Sequence, residues 1–430
     1  MKRPHWSLVF PVAVLAFVAP AVAYVNVLFT TTTRWVVAGV LLLALIATGR
    51  AFAILRHDVG SALLAYVAWC VLTSAWSDVP ELTLMKSGAL ALVGVGMFAG
   101  GQLWASRRGW DQSLDFLSPV LALALFAGVF GQSAIESSSE LLVLYEGLTG
   151  NPNMLGSLMN MAIPLLLWQC YSNRTSRGRL VLWLGLLGII VGVLLLSVSR
   201  SSILAALVTC VVFLSVVGIR RIAIAYALAT VVAAGTLFAA PDVYDTLAQR
   251  YILKVRPGTE PELFGSRQEV WEESYELAVQ GGLVGGGYGV TIGETAFRGG
   301  LTAVGYGREK GNSQLAIMEE TGVVGLLLYL IFLAVLFRKA AWPMRQAPDR
   351  DMKVMGALVF GALAGQTVQS LFEAWWVAPG SPEAAYFWAM SGVAVGLSIE
   401  CRKQLIALRR VADPVPAGLW QRHGARRGDG

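Results

Sequence analysis

Residues 180–218 read LVLWLGLLGIIVGVLLLSVSRSSILAALVTCVVFLSVVG, and this stretch decides the fold. Two apolar runs, 180–197 and 201–218, flank the polar turn Ser197-Val198-Ser199-Arg200-Ser201-Ser202, in which Arg200 is the single charge. Each run approaches the roughly 20 residues a helix needs to cross about 30 Å of hydrocarbon. Neither shows the alternation of a strand, and backbone groups cannot go unpaired in lipid. Two membrane-crossing helices joined by a tight surface turn is the reading.

Working outward with the same window adds ten candidates: about 8–28, 35–49, 61–76, 85–104, 115–133, 153–171, 222–239, 322–337, 354–374 and 385–400. Composition agrees. Of 430 residues 56% are hydrophobic and 14% charged, with a mean hydropathy of +0.62; a soluble domain carries about 25% charged residues. A soluble enzyme, a disordered chain and a disulfide-stapled secreted domain are excluded together. Cys70, Cys170, Cys210 and Cys401 lie inside or at the edges of apolar runs, with neither metal-ligand nor disulfide spacing. The fold class expected is all-α: a polytopic membrane protein of about twelve transmembrane helices with one long extracytoplasmic loop.

Basic residues set the orientation. With the N-terminus inside, alternate loops collect Lys2/Arg3, Arg50/Arg56, Arg107/Arg108, Arg174/Arg177/Arg179, Arg220/Arg221, the run from Arg338 to Lys353, and the tail from Arg402 to Arg427. The short loops on the other side hold only Arg34, Lys86 and Arg200. Both termini are therefore expected in the cytoplasm, and the net charge of +6 needs no nucleic acid to explain it. Residues 1–400 form the transmembrane domain, 240–321 an outside loop between spans nine and ten, and 401–430 a basic tail able to rest on anionic lipid. Met1-Lys2-Arg3 and Ala21-Val22-Ala23 also resemble a cleavable signal peptide; a retained first helix is preferred, and the orientation downstream is the same either way.

The spans are almost free of ionisable residues, whereas transporters usually carry acids or bases near the midplane. Polar residues gather at outer helix ends instead, which suits a substrate with one end in lipid and the other in water. Three segments meet at that level. Gly150-Asn151-Pro152-Asn153 opens a helix, with free N–H groups and a positive dipole end, or is simply a capped start. Arg200 among its serines reads as an anion ligand, or merely snorkels. Ser266 to Leu277 has a helical stripe, Val270, Trp271, Ser274 and Leu277, with Arg267 near its start; it is a diphosphate-binding helix or a solvated charged one. Gly281 to Gly289 lacks the Lys-Ser/Thr of a P-loop and reads as a close-packed turn bringing backbone near a ligand. Arg308-Glu309-Lys310-Gly311-Asn312 and Glu319-Glu320 follow. No zinc-ligand set, Ser/His/Asp arrangement or Asp-rich metal motif occurs outside, so no metal and no cofactor is expected.

Trp76-Ser77-Asp78-Val79-Pro80, Asn151-Pro152-Asn153, Ser199-Arg200, Arg267…Trp271…Gly287-Tyr288-Gly289 and Asn312 through Gly322, in that order, resemble the O-antigen ligase/polymerase superfamily of bacterial envelope glycosyltransferases. The resemblance covers roughly 60–400. It implies a C-type glycosyltransferase-like fold in the bacterial inner membrane. It implies transfer of a glycan from undecaprenyl diphosphate to a glycan acceptor, without metal, alongside other polysaccharide-assembly proteins. Arg200 and Arg267 would stabilise the diphosphate, and Asn153, Ser199, Trp271, Lys310 and Asn312 would bind substrate. Family ligases carry His-Asn where this chain reads Gly311-Asn312, and no His lies outside. The base then falls to Glu309, with Glu320 as the other option, which favours a polymerase of surface polysaccharide repeats over a lipid A–core ligase. A multi-pass transporter or flippase for a lipid-linked or anionic solute is the alternative; it should show repeated halves, and no clear repeat is present.

Overall fold

The computed structural model describes residues 6–51, 56–134, 144–218, 265–292 and 310–412. Among these residues the chain forms α1 (Trp6–Val18), α2 (Thr31–Ala47), α3 (Asp58–Leu72), α4 (Pro80–Arg108) and α5 (Ser118–Val129). Next come β1 (Gln132–Ala134), β2 (Leu144–Gly147), α6 (Pro152–Ser172), α7 (Arg177–Leu196) and α8 (Arg200–Val217). The order ends with α9 (Gly265–Gly281), α10 (Ser313–Gln346), α11 (Arg350–Gln369) and α12 (Pro382–Ala412). Eleven of the twelve expected spans coincide with helices; the ninth, 222–239, lies outside the described residues. By length and composition seven of the described helices can cross a membrane, and the chain is an all-α polytopic membrane protein.

Three details differ from the sequence expectation. The first helix stops at Val18 instead of continuing to 28, because Pro20 lacks an amide donor and opens a short 3-10 turn, Ala19–Ala21. A two-stranded antiparallel hairpin, β1 with β2, was not foreseen in an all-α chain. The helix expected at 322–337 runs instead from Ser313 to Gln346, with non-helical backbone at Gly322 (φ 70°, ψ −174°). The apolar run begins at that break, after a more polar piece that carries Glu319 and Glu320.

α12 packs along α4, α11 along α8, and α10 against α3 and α11. Trp376 sits at the centre of the aromatic core, 4.7 Å from the rings of Tyr329 and Phe387 and 5.0 Å from Trp388. On α7, by contrast, Val181, Leu182 and Leu184 stay exposed, an apolar face that lipid can cover.

Contacts between connecting segments fall into two groups at opposite ends of the bundle. At one end Arg34 Nη1 donates to Gly380 O (2.8 Å), Ala23 N to Leu148 O (2.7 Å) and Trp76 Nε1 to Gly285 O (3.1 Å). At the other, Arg338 pairs with Asp58 (2.6 Å), Arg174 with Asp351 (3.4 Å), and Arg350 Nη2 donates to Val217 O (2.8 Å). Each contact joins segments that the charge alternation puts on one side, and the first end is called the outer end below.

Candidate active site

A cavity of about 620 Å³ opens at the outer end, within the size range of small-molecule sites. Its wall comes from the end of the first span (Ala21, Ala23), the segment leading into α6 (Thr149 to Asn153), Ser157, Lys310, Glu373 to Trp375, and Glu383.

The start of α6 forms one side because Asn151 caps it: Oδ1 accepts from Asn153 N (2.8 Å) and Met154 N (3.1 Å). Those two amides are therefore taken by the cap, the capped start that the sequence also allowed. Asn153 itself lines the cavity.

The 197–202 turn lies directly behind this wall. A Cβ on Gly156 would sit 2.9 Å from Ser199 Oγ and 3.0 Å from Ser202 Oγ, so only glycine lets α6 and the turn approach this closely. The serines brace one another: Ser199 Oγ donates to Ser202 Oγ (2.9 Å), and Ser197 Oγ to Leu194 O (2.7 Å). Val198 has φ 52°, a left-handed conformation that a β-branched residue adopts only under strain. Arg200 is the first residue of α8 and half-buried. A cation there opposes the helix dipole, at about 0.3–1 kcal/mol. Strain and a charge opposing the helix dipole thus fall on one turn.

α9 docks beside the cavity. Trp271 Nε1 donates to Gly311 O (3.2 Å), and its ring lies 5.8 Å from that of Phe372. Arg267 stands one turn earlier, on the same helical face, in the first turn of α9. Asn312 caps α10, accepting from Gln314 N (2.8 Å) and Leu315 N (3.0 Å) while its Nδ2 donates to Leu371 O (3.0 Å). Its side chain is thus committed to holding Gly311 and Lys310 in place. Asn312→Ala is expected to lower stability by about 1–2 kcal/mol, read as thermal unfolding in detergent, with Asn312→Ser recovering most of the loss.

Lys310 enters a buried cluster of four charges. Its Nζ meets Glu320 Oε1 (2.7 Å) and Glu319 Oε2 (3.3 Å), Glu320 Oε2 accepts from Gly289 N (2.7 Å), and Lys86 Nζ donates to Gly289 O (2.6 Å). None of the four residues is more than 5% exposed. Both oxygens of Glu320 are taken. The glycine-rich stretch 281–289 packs into this cluster: Gly285 (φ +76°) lies against the Glu320 backbone and Gly289 (φ +79°) against Lys86, where a Cβ would overlap. Its close backbone approach is to α10 and α4. Burial also drives the Tyr288 phenol well above its ordinary range, with Cys70 and Glu320 adding to the effect.

The structure thus brings Asn153 and Lys310 onto the cavity, sets Ser199 and Arg200 behind its α6 wall, and packs Trp271 and Asn312 beside it. Glu309 lies outside the described residues, as does the Arg267 side chain. Among the described residues no group of three or more His, Cys, Asp or Glu could hold a metal ion.

A family model described as O-antigen ligase matches residues 184–330, from α7 through the outer loop into α10. The match covers less than half of the 430 residues and is a likeness of that segment to the family. The match takes in Arg200, Arg267, Lys310 and Glu320 and supports a membrane glycosyltransferase of the O-antigen ligase/polymerase type. No curated protein matches the chain. A solved structure described as "Structural coordination of polymerization and crosslinking by a peptidoglycan synthase complex" is similar at 17% identity, over 83% of this chain and 98% of that chain, with a TM-score of 0.36. A superposition that loose carries no argument.

Sequence reasoning missed two participants. Glu383 lies on the cavity wall, yet it stands next to an apolar run and has no polar motif around it. Lys86 was counted only as an outside charge, although the adjoining Trp76–Pro80 stretch, whose Trp76 bonds Gly285, pointed to the same junction.

Proposed function

We propose that the chain transfers a glycan from a polyprenyl diphosphate carrier to a sugar hydroxyl at the outer face of the bacterial inner membrane, as a polymerase of surface polysaccharide repeats. The observation that carries the reading is the placement of Arg200. A half-buried arginine opens a helix beside a strained turn, one helix wall away from the outer-end cavity. A cation there opposes the helix dipole, and an anion bound beside it offsets that cost.

In this proposal Arg200, with Arg267 from the first turn of α9, holds the diphosphate of the donor. The anomeric carbon–oxygen bond breaks, its electron pair passes to the diphosphate, and the fixed guanidinium forks stabilise the charge that develops. Ser199 braces Arg200, Trp271 and Asn312 fix the 310–312 segment, and Asn153 and Lys310 face the sugar. Glu320 acts here by holding Lys310 rather than by taking a proton.

The test is reconstitution of the full chain in proteoliposomes with a polyprenyl-diphosphate-linked oligosaccharide. Longer or transferred glycan and free polyprenyl diphosphate are expected. Movement of intact donor across the bilayer without cleavage would overturn the enzyme reading in favour of a flippase.

A further inference from the structure

The outer cavity contains a carboxylate used by neither the four-charge cluster nor the two arginines. Glu383 is the second residue of α12, after Pro382, and is 7% exposed. It lines the cavity with Ser157 and Trp375. The hydroxyls of Ser157 and Ser381 lie beside it. Among the described residues it forms no ion pair, in contrast to Glu319 and Glu320, which share Lys310.

Glu383 is also wired to the Arg200 turn. Gln369 Nε2 donates to Ser157 Oγ (2.6 Å) and to Ser202 Oγ (3.1 Å), and Ser202 Oγ accepts from Ser199 Oγ (2.9 Å). Hydrogen-bonded hydroxyls and an amide thus run from Ser157, beside the carboxylate on the cavity wall, to the turn that carries the guanidinium. Trp375, which lines the cavity, carries a buried Nε1 without a partner. A polar ligand in the cavity could satisfy such a group, which is costly to leave unpaired.

We propose that Glu383 is the general base that takes the proton of the acceptor hydroxyl, a role that rests on the glycosyl-transfer reading above. The acceptor oxygen bonds to the anomeric carbon of the donor sugar as the bond to the diphosphate oxygen breaks. The electron pair of that broken bond leaves on the diphosphate, and the acceptor proton passes to the Glu383 carboxylate, which later returns it to water. The arrangement separates the two halves of the reaction: cations on the leaving group, an unpaired carboxylate on the nucleophile.

Charged and titratable groups around Glu383 are few. Lys310 is on the same cavity wall with its ammonium held by Glu319 and Glu320, and Glu373 shares the wall. Arg34 bonds Gly380 O across the turn before α12, and Tyr386 follows on the helix itself.

The test is the pH profile of kcat in proteoliposomes with a polyprenyl-diphosphate-linked oligosaccharide. The wild type should lose activity tenfold per pH unit on the acidic side, as the base becomes protonated. Glu383→Gln preserves shape and can still bond Ser157, so it should bind donor as before while kcat falls about 10²-fold or more and the acid limb vanishes. Glu383→Asp should be slower yet keep the limb, which a packing role does not explain. A wild-type profile without an acid limb overturns the assignment even if the Gln variant fails to fold. So does a Gln variant with wild-type rate and limb, or loss of the limb in Glu309→Gln and not in Glu383→Gln. Absence of any transfer by the wild type is a separate result and counts against glycosyl transfer itself.

Discussion

Glycan transfer by Arg200→Ala is expected to fall about 10²–10³-fold, and by Arg267→Ala to a similar extent, the range seen when one preorganised donor to a developing anion is removed. Both losses should appear in kcat as well as kcat/KM, because the diphosphate gains charge only as the glycosidic bond breaks. Each arginine stands in the first turn of its helix, where a cation works against the dipole. Removing it relieves that opposition, and any accompanying loss of stability is read separately from the loss of turnover. Arg200→Lys keeps the charge but not the two-pronged donor and should recover only part of the rate. Membrane insertion and melting in detergent are measured alongside. Turnover within twofold of wild type in both alanine variants would refute the diphosphate assignment.

The parts of this fold that sequence reveals are those governed by local rules. Apolar runs of membrane-crossing length located eleven described helices, and Asn151 was readable as a cap because Asn before Pro at a helix start is a local signal. The hairpin was not readable: Gln132–Ala134 and Leu144–Gly147 are too short to show alternation. Long-range pairings were equally hidden. Lys86 meets Gly289, Lys310 meets Glu320, and Ser157 meets Glu383 only after α4, α10, α6 and α12 have packed. The glycine-rich stretch illustrates the same limit. Its composition announces a close backbone approach, but whether to a nucleotide, a lipid headgroup or another helix depends on which partner the fold delivers. The delivered partner is α10, at Glu320 and at the Gly322 break, where Val323 N donates to Gly282 O (3.0 Å). The arginine turn was legible for a different reason. A lone charge between two membrane runs is expensive wherever it ends up, so its presence is informative before any partner is known.

Glu320→Ala is expected to be the most destabilising single change at the outer end, costing about 3–5 kcal/mol, because breaking a buried ion pair strands its partner. Of the two carboxylates at Lys310 Nζ, Glu319 at 3.3 Å would remain, and Gly289 N would lose its acceptor. The damage should spread, since Gly289 O also holds Lys86 and the 285–289 backbone is pinned to α10 through Gly286 N and Gly287 N. Glu320→Gln separates the components. Its amide oxygen can still accept from Gly289 while the charge is lost, so an intermediate cost is expected. Pairing Glu320→Leu with Lys310→Met removes both members of the shortest pair, and should be less harmful than Glu320→Ala, because replacing a buried pair by apolar side chains avoids the stranded charge. Thermal unfolding in detergent checks the series. A Glu320→Ala protein within about 1 kcal/mol of wild type would mean that Lys310 draws its support from elsewhere, and the cluster would lose its place as the clamp that fixes the cavity wall.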